Sequence, residues 1–233
     1  MLNFEYRLPT RIVFGKGMEE QAGEEIKKSG GTKVLVHYGG HSAEKTGLLA
    51  KVCRILEESQ LPYVLLGGVK PNPRLSKIYE GIALAKKENV DFILAVGGGS
   101  VIDSAKGIGY GVANEGDVWD FYIRKKAPKA CVPVILTIAA SGSETSDGSV
   151  VTNENGNLKR DVGSDYARPK FAIMNPELTY SLPEYQTASG STDILMHAME
   201  RYFTTVKNVE LIDGFLESLM KTVMHNVRIV LEN

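Results

Sequence analysis

The chain has 233 residues, 43% of them hydrophobic and 24% charged, with a formal net charge of −1. This is a globular composition, large enough for one sizeable domain or for one domain and part of another. The near-neutral balance leaves no electrostatic footprint for nucleic acid or an anionic membrane, and no apolar run reaches the roughly 18 residues that a spanning helix needs. Met1 to Tyr6 lacks the basic and apolar regions of a signal peptide. Cys53 and Cys131, the only cysteines, form no CxxC pair. They read as buried free thiols of a reducing cytoplasm.

In chain order, residues 33–38 form a strand closed by Gly39-Gly40, and Leu48, Leu49, Val52, Ile55 and Leu56 recur at helical spacing. Residues 63–66 form a second strand ended by Gly67-Gly68. Pro71 and Pro73 keep the next segment extended or turning. A helix over 76–88 leads to a strand at 92–96, a helix over 100–111 and a strand at 132–137. After a polar loop at 141–146, residues 150–152 and 171–174 read as strands, with a turn at 153–157 between them. Beyond Pro183 the pattern is wholly helical, over about 183–203 and 208–231. The strand–helix alternation predicts an α/β fold with a mostly parallel, Rossmann-like sheet. The boundary falls near 182, giving an α/β domain over 1–182 and the first helices of a second domain over 183–233.

The chemistry concentrates at the carboxyl edge of that sheet, where α/β proteins bind ligands. The apolar strand 92–96 runs into Gly97-Gly98-Gly99, and Ser100 opens a helix whose free N–H groups point back at the turn. Glycines allow close backbone approach and a helix N-terminus favours phosphate. The bland alternative is a plain strand-to-helix turn. The turn matches neither G-x-G-x-x-G nor the Walker A pattern. At the first glycine turn, Gly39, Gly40 and Ser42 carry no carboxylate of the kind that binds a ribose 2′-OH. They suit a 2′-phosphate, with His41 adding charge at lower pH; alternatively Ser42 is simply a helix N-cap. His37 and His41 are both assigned to this turn. On the helix after Pro183, Asp193 and His197 lie four residues apart and share a face. Spacing alone leaves open a surface ion pair or half of an Fe²⁺ or Zn²⁺ site. His225 reads as a core-edge or surface histidine.

Taken together, these motifs resemble the iron-containing (group III) alcohol dehydrogenases, in the NADP(H)-using, butanol dehydrogenase-like branch. G-G-G-S-x-x-D-x-x-K is Gly97 to Lys106, and T-x-x-A-[ST]-G-S-E is Thr137 to Glu144. P-E-L-T-x-x-L-P is Pro176 to Pro183, and G-x-x-D-x-x-x-H-x-x-E is Gly190 to Glu200. The resemblance runs from Pro9 to the last helix. It implies a dinucleotide-binding domain followed by a helical metal-binding domain, with hydride passing between NADP(H) and a primary alcohol or aldehyde such as butanol or butyraldehyde; NAD(H) ranks second. It implies that Gly98, Gly99 and Ser100 hold the pyrophosphate. Asn72, Asp103, Thr137, Ser141 and Lys159 match positions that line the cofactor, and Leu178, Thr179 and Leu182 match its adenosine side. Asp193 and His197 match two metal ligands.

Members of the family are longer, and their remaining histidine ligands lie beyond the part that this chain resembles. A truncated member that retains nucleotide binding alone is therefore the second reading. A dehydroquinate synthase-like enzyme is the third, disfavoured by the Thr137–Glu144 and Gly190–Glu200 matches. Ala139, Ser146, Asp147 and Asn175 depart from the common pattern. The resemblance also implies a homodimer, with residues 8–14 as the segment through which it would form.

Overall fold

The structure, a computed structural model, describes residue 3 and residues 5–40, 42–131, 134–136 and 142–232, with 134–136 described in backbone only. Three of the expected site residues or neighbours, His41, Thr137 and Ser141, lie outside the described residues. The chain divides into two compact units, one of residues 8–178 and one of 1–7 with 179–233.

The larger unit is built on a six-stranded parallel sheet in the order β1-β8-β5-β4-β2-β3. Its strands are β1 (Arg11–Phe14), β2 (Val34–Tyr38), β3 (Tyr63–Leu66), β4 (Phe92–Val96), β5 (Val134–Leu136) and β8 (Phe171–Met174). β4 is buried along its whole length, as an inner strand of a doubly covered sheet should be. Alternate residues feed two cores. Phe92, Leu94 and Val96 face α1 (Ala22–Lys28) and α3 (Leu48–Glu58), while Ile93 and Ala95 face α4 (Leu75–Lys87) and α5 (Gly99–Ala113). The parallel α/β expectation holds.

α5 is buried nearly all round, from Val101 to Gly111. Such a helix must lie close to its neighbours, and glycines permit it. A Cβ at Gly81 would lie 2.3 Å from Ile108 Cδ1, one at Gly107 would lie 2.6 Å from Ile78 Cδ1, and one at Gly111 would lie 2.1 Å from Ile82 Cδ1. α4 and α5 thus interlock, with isoleucines seated over facing glycines.

Three readings of the sequence are corrected. The turn at 153–157 does not lead to the strand at 171. It closes an antiparallel hairpin of β6 (Gly148–Asn153) and β7 (Leu158–Gly163), and β8 instead joins the main sheet between β1 and β5. β7, Leu-Lys-Arg-Asp-Val-Gly, is exposed at every residue but Val162, so no apolar alternation marks it. His37 is not part of the glycine turn but a fully buried residue of β2. Cys53 and Cys131 are half-buried rather than buried.

His37 joins three elements. Nδ1–H donates to Leu66 O at 2.9 Å, because a carbonyl can only accept, which leaves Nε2 to accept from Ser104 Oγ at 2.9 Å. Burial holds the imidazole down at about 4, so it is neutral at physiological pH. The unfolded chain takes up this proton near pH 6.5, and the folded chain only near pH 4. The stability that the neutral ring confers is therefore present above about pH 6.5 and is lost as pH falls toward 4, by about 3 kcal/mol. Urea midpoints at pH 7 and 4.5 test this: a folded His37→Leu/Ser104→Ala double variant should lose less stability between the two pH values than the unaltered chain. Equal losses would remove His37 as the source.

In the smaller unit, α7 (Glu184–Tyr202) and α8 (Glu210–Glu232) pack together, with Tyr202 Oη donating to Glu217 Oε1 at 3.1 Å. Ala198 is the one buried residue of α7, and α8 has none. No described helix is long and apolar enough to cross a membrane.

Candidate functional site

The strand β4 ends at Val96, and the backbone turns through Gly97 and Gly98 into α5. Gly97 has φ +156°, and a Cβ there would lie 2.6 Å from Cγ2 of Val101. That valine is β-branched and stiff, so the turn tolerates little else at position 97. Gly98, Gly99 and Ser100 stand half-buried with Val101 along one wall of a groove of about 260 Å³; Gly40, Val69, Lys70 and Pro71 form the other wall. The first glycine turn is tied to the segment after β3, since Gly68 N–H donates to Gly39 O at 2.9 Å and Val69 N–H to Tyr38 O at 3.3 Å. The groove thus brings together Gly40 of the first turn and Gly98–Ser100 of the second, with Gly39 next to Gly40 in the chain. Ser42 opens the short helix α2 (Ser42–Lys45) and is exposed.

This cradle fits a phosphate-bearing ligand. Nothing fills the space where a Cβ of Gly40 would stand, and α5, 15 residues long, opens at Gly99 with its free N–H groups at the groove. Lys70 adds a cation that the sequence reading passed over; the only signal was its place just before Pro71 in the proline-marked segment. A larger concavity of about 460 Å³, lined in part by Phe121, Arg124, Lys126 and Asp161, shares no residue with the groove.

Next to Pro71, Asn72 takes the left-handed conformation at φ +56°, which asparagine tolerates better than most residues. Its Oδ1 accepts from Lys159 Nζ at 2.8 Å, so two expected cofactor residues from distant elements meet. The hairpin that carries Lys159 is anchored there. Thr152 N–H donates to Pro73 O at 2.9 Å, and the Glu154 carboxylate takes up the Ser76 hydroxyl and, at 3.3 Å, the Ser76 N–H.

Asp103 lies one turn into α5, half-buried. Its carboxylate accepts from Ser143 Oγ at 2.7 Å and Val150 N–H at 3.1 Å, and burial raises its pKa above the usual aspartate value. Lys106, one turn further on, is fully buried, and burial pulls its ammonium down to about 8, so it stays protonated at neutral pH. Cys131 Sγ–H donates to Lys106 O at 3.7 Å, and burial pushes this thiol up to about 12, which makes it inert. Asn175, at the end of β8, explains one departure from the common pattern. Its Nδ2 donates to the buried Glu19 Oε2 at 2.8 Å, a contact that an aspartate would turn into a repulsion.

Of the expected adenosine-side residues, Leu178 and Thr179 share the 3-10 helix Pro176–Thr179, and Leu182 N–H donates to Thr179 O at 3.1 Å. Leu178 packs on the core of the larger unit, whereas Thr179 and Leu182 belong to the smaller one. On α7, His197 Nε2 lies 3.7 Å from Asp193 Oδ2, with both side chains about half exposed. Glu200 Oε2 is 3.9 Å from the other ring nitrogen. Two donors converge, but among the described residues no group of three or more His, Cys, Asp or Glu could hold a metal. Two donors are fewer than the three or four protein ligands that a tight metal centre uses, so the described residues alone do not complete one.

Comparison with known proteins follows these lines. Residues 9–176 match the family model described as iron-containing alcohol dehydrogenase. The chain is 40% identical over 234 residues to the NADH-dependent butanol dehydrogenase A of Clostridium acetobutylicum, covering 100% of itself and 60% of that protein. It is 34% identical over 231 residues to the NADPH-dependent aldehyde reductase YqhD of Escherichia coli, covering 97% of itself and 59% of that protein. The crystal structure of an NADH-dependent butanol dehydrogenase A from Thermotoga maritima superposes with a TM-score of 0.90 at 40% identity, over 96% of this chain and 57% of that one. The chain therefore spans about 60% of the length of the curated relatives it matches. A turn of three glycines that opens a buried helix, on a parallel sheet with this order of motifs, belongs with those proteins: the chain is a member of the iron-containing alcohol dehydrogenase family.

Proposed function

We propose that this chain binds a nicotinamide dinucleotide at the Gly97–Ser100 turn and contributes the cofactor half of an alcohol or aldehyde oxidoreductase. The observation that carries the reading is the groove where the N-terminus of α5 meets Lys70 and the first glycine turn. The N–H groups of Gly99 and Ser100, with Lys70, neutralise the pyrophosphate. Asn72 and Lys159, joined by their hydrogen bond, line the cofactor. When bound, the cofactor supplies hydride to, or takes it from, the carbon of a small primary alcohol or aldehyde such as butanol or butyraldehyde.

NADP(H) is the preferred form, supported by the absence of a carboxylate at Gly39, Gly40 and Ser42. NADH is the second reading, because relatives at 40% and 42% identity are named NADH-dependent. Asp193 and His197 supply two donors toward Fe²⁺ or Zn²⁺ on the helical unit, the start of a metal-binding domain. The alternative, a shortened member that keeps nucleotide binding alone, differs in turnover and not in binding. The edge strand β1, with Ile12 and Phe14 exposed, supports a homodimer that sedimentation would detect and that Phe14→Glu should weaken.

Titration with NADPH and NADH, followed by nicotinamide fluorescence, tests the site. Gly99→Val places a branched side chain on the groove wall and should weaken NADPH binding at least about tenfold, or about 1.4 kcal/mol, in a protein that still folds. Unchanged affinity would remove the turn from the site. Tighter NADH than NADPH binding would reverse the cofactor preference. Asp193→Ala should lower the iron or zinc retained in anaerobic equilibrium dialysis; equal retention would sink the metal assignment.

A further inference from the structure

Lys106 closes the glycine-rich motif, yet nothing in the proposed chemistry uses it. Its side chain is fully buried, and a buried cation is costly unless its donors are satisfied. The oxygens that its ammonium meets belong to neutral groups. Ser143 O, Ser146 O and Gly148 O accept at 2.8, 2.9 and 2.8 Å and take the three N–H bonds. Ser143 Oγ at 3.1 Å and Ser146 Oγ at 3.3 Å complete a shell of five oxygens. Backbone carbonyls converging on one positive centre are the way a polypeptide replaces the hydration shell of a monovalent cation.

The shell is wired onward. Ser143 Oγ donates its proton to Asp103 Oδ1, so its lone pairs face Lys106. Val150 N–H donates to Asp103 Oδ2, and Ser149 Oγ donates to Asp103 O at 2.8 Å. Ser149 Oγ therefore accepts from the buried Tyr122 Oη, also at 2.8 Å. Residues 142–150 are thus wound around one turn of α5. That stretch ends in the root of the hairpin whose other strand carries Lys159 to Asn72. Arg168 holds only the outer side, donating to Thr145 O at 3.0 Å and pairing with Asp147 at 3.3 Å.

We propose that Lys106 is a positioning residue for the dinucleotide site: its ammonium is a tethered monovalent cation around which residues 142–148 are built, and it sets the root of the hairpin that presents Lys159. The words "dinucleotide site" rest on the reading above; the caged loop does not.

The test removes the tether and supplies the cation. Lys106→Ala deletes the atoms of n-propylammonium. Hydrogen exchange of amides in 142–150 should quicken at least about tenfold in that variant, the equivalent of one lost charge-assisted bond, while β4 amides stay protected. Millimolar n-propylammonium should restore protection and NADPH affinity; n-propanol and tetramethylammonium, as neutral and oversized controls, should not. Exchange that is unchanged in the variant, or restored equally by n-propanol, overturns the proposal. If Lys106→Ala folds only with the amine, that also supports it. Lys106→Met keeps the stem as far as Cε without the ammonium and should lose 142–150 protection; a folded Met variant with that stretch still protected overturns it, as does failure of both variants to fold with or without amine. An unaltered chain that binds no NADPH, beside amine-dependent exchange in the variant, removes the cofactor reading and keeps the cage.

Discussion

The carboxyl edge of the sheet depends on where α5 sits, and α5 is held from three sides by different physics. On one side close packing fixes it, since isoleucines of α4 and α5 lie over Gly81, Gly107 and Gly111 at distances that admit no Cβ without a shift. Beneath it, the neutral His37 ring ties Ser104 to the carbonyl of Leu66 across two strands. Toward the hairpin, Asp103 and Lys106 bind residues 142–150. A helix N-terminus is useful to a ligand only if it is aimed, and these contacts aim it.

Buried polarity in the larger unit follows one rule with several solutions. Desolvation penalises each charged or ionisable group, and Lys106, His37 and Glu19 answer it in three different ways. Lys106 keeps its proton inside a shell of neutral oxygens. His37 gives its charge up. Glu19 is pushed up by burial, but the bonds from Lys51 at 2.6 Å and Asn175 outweigh this and hold it below the usual carboxylate range.

The helical unit obeys other constraints. Its two helices carry large apolar side chains at the surface, among them Ile194, Met196, Leu211 and Phe215. Asp193 and His197 share the surface of α7 as an i,i+4 pair. Geometry of that kind is cheap for a helix to provide and is shared by surface ion pairs and metal half-sites alike. The order of motifs, more than the pair itself, goes with the family.

The sequence by itself determined the parallel α/β class, the glycine turn at the head of α5 and most strand and helix positions, because apolar periodicity and glycine punctuation are local signals. It also carried the family, through four motifs in order. Tertiary structure decided the rest. β7 exists because β6 pairs with it, not because Leu-Lys-Arg-Asp-Val-Gly favours a strand. His37 is a core residue because β2 runs one layer beneath α5. Asn72 meets Lys159 across 87 residues of chain. Lys106 reads as one more helical lysine until residues 142–148 are seen to close around it. Contacts between residues far apart in the chain leave no periodicity to read, so only the fold can reveal them.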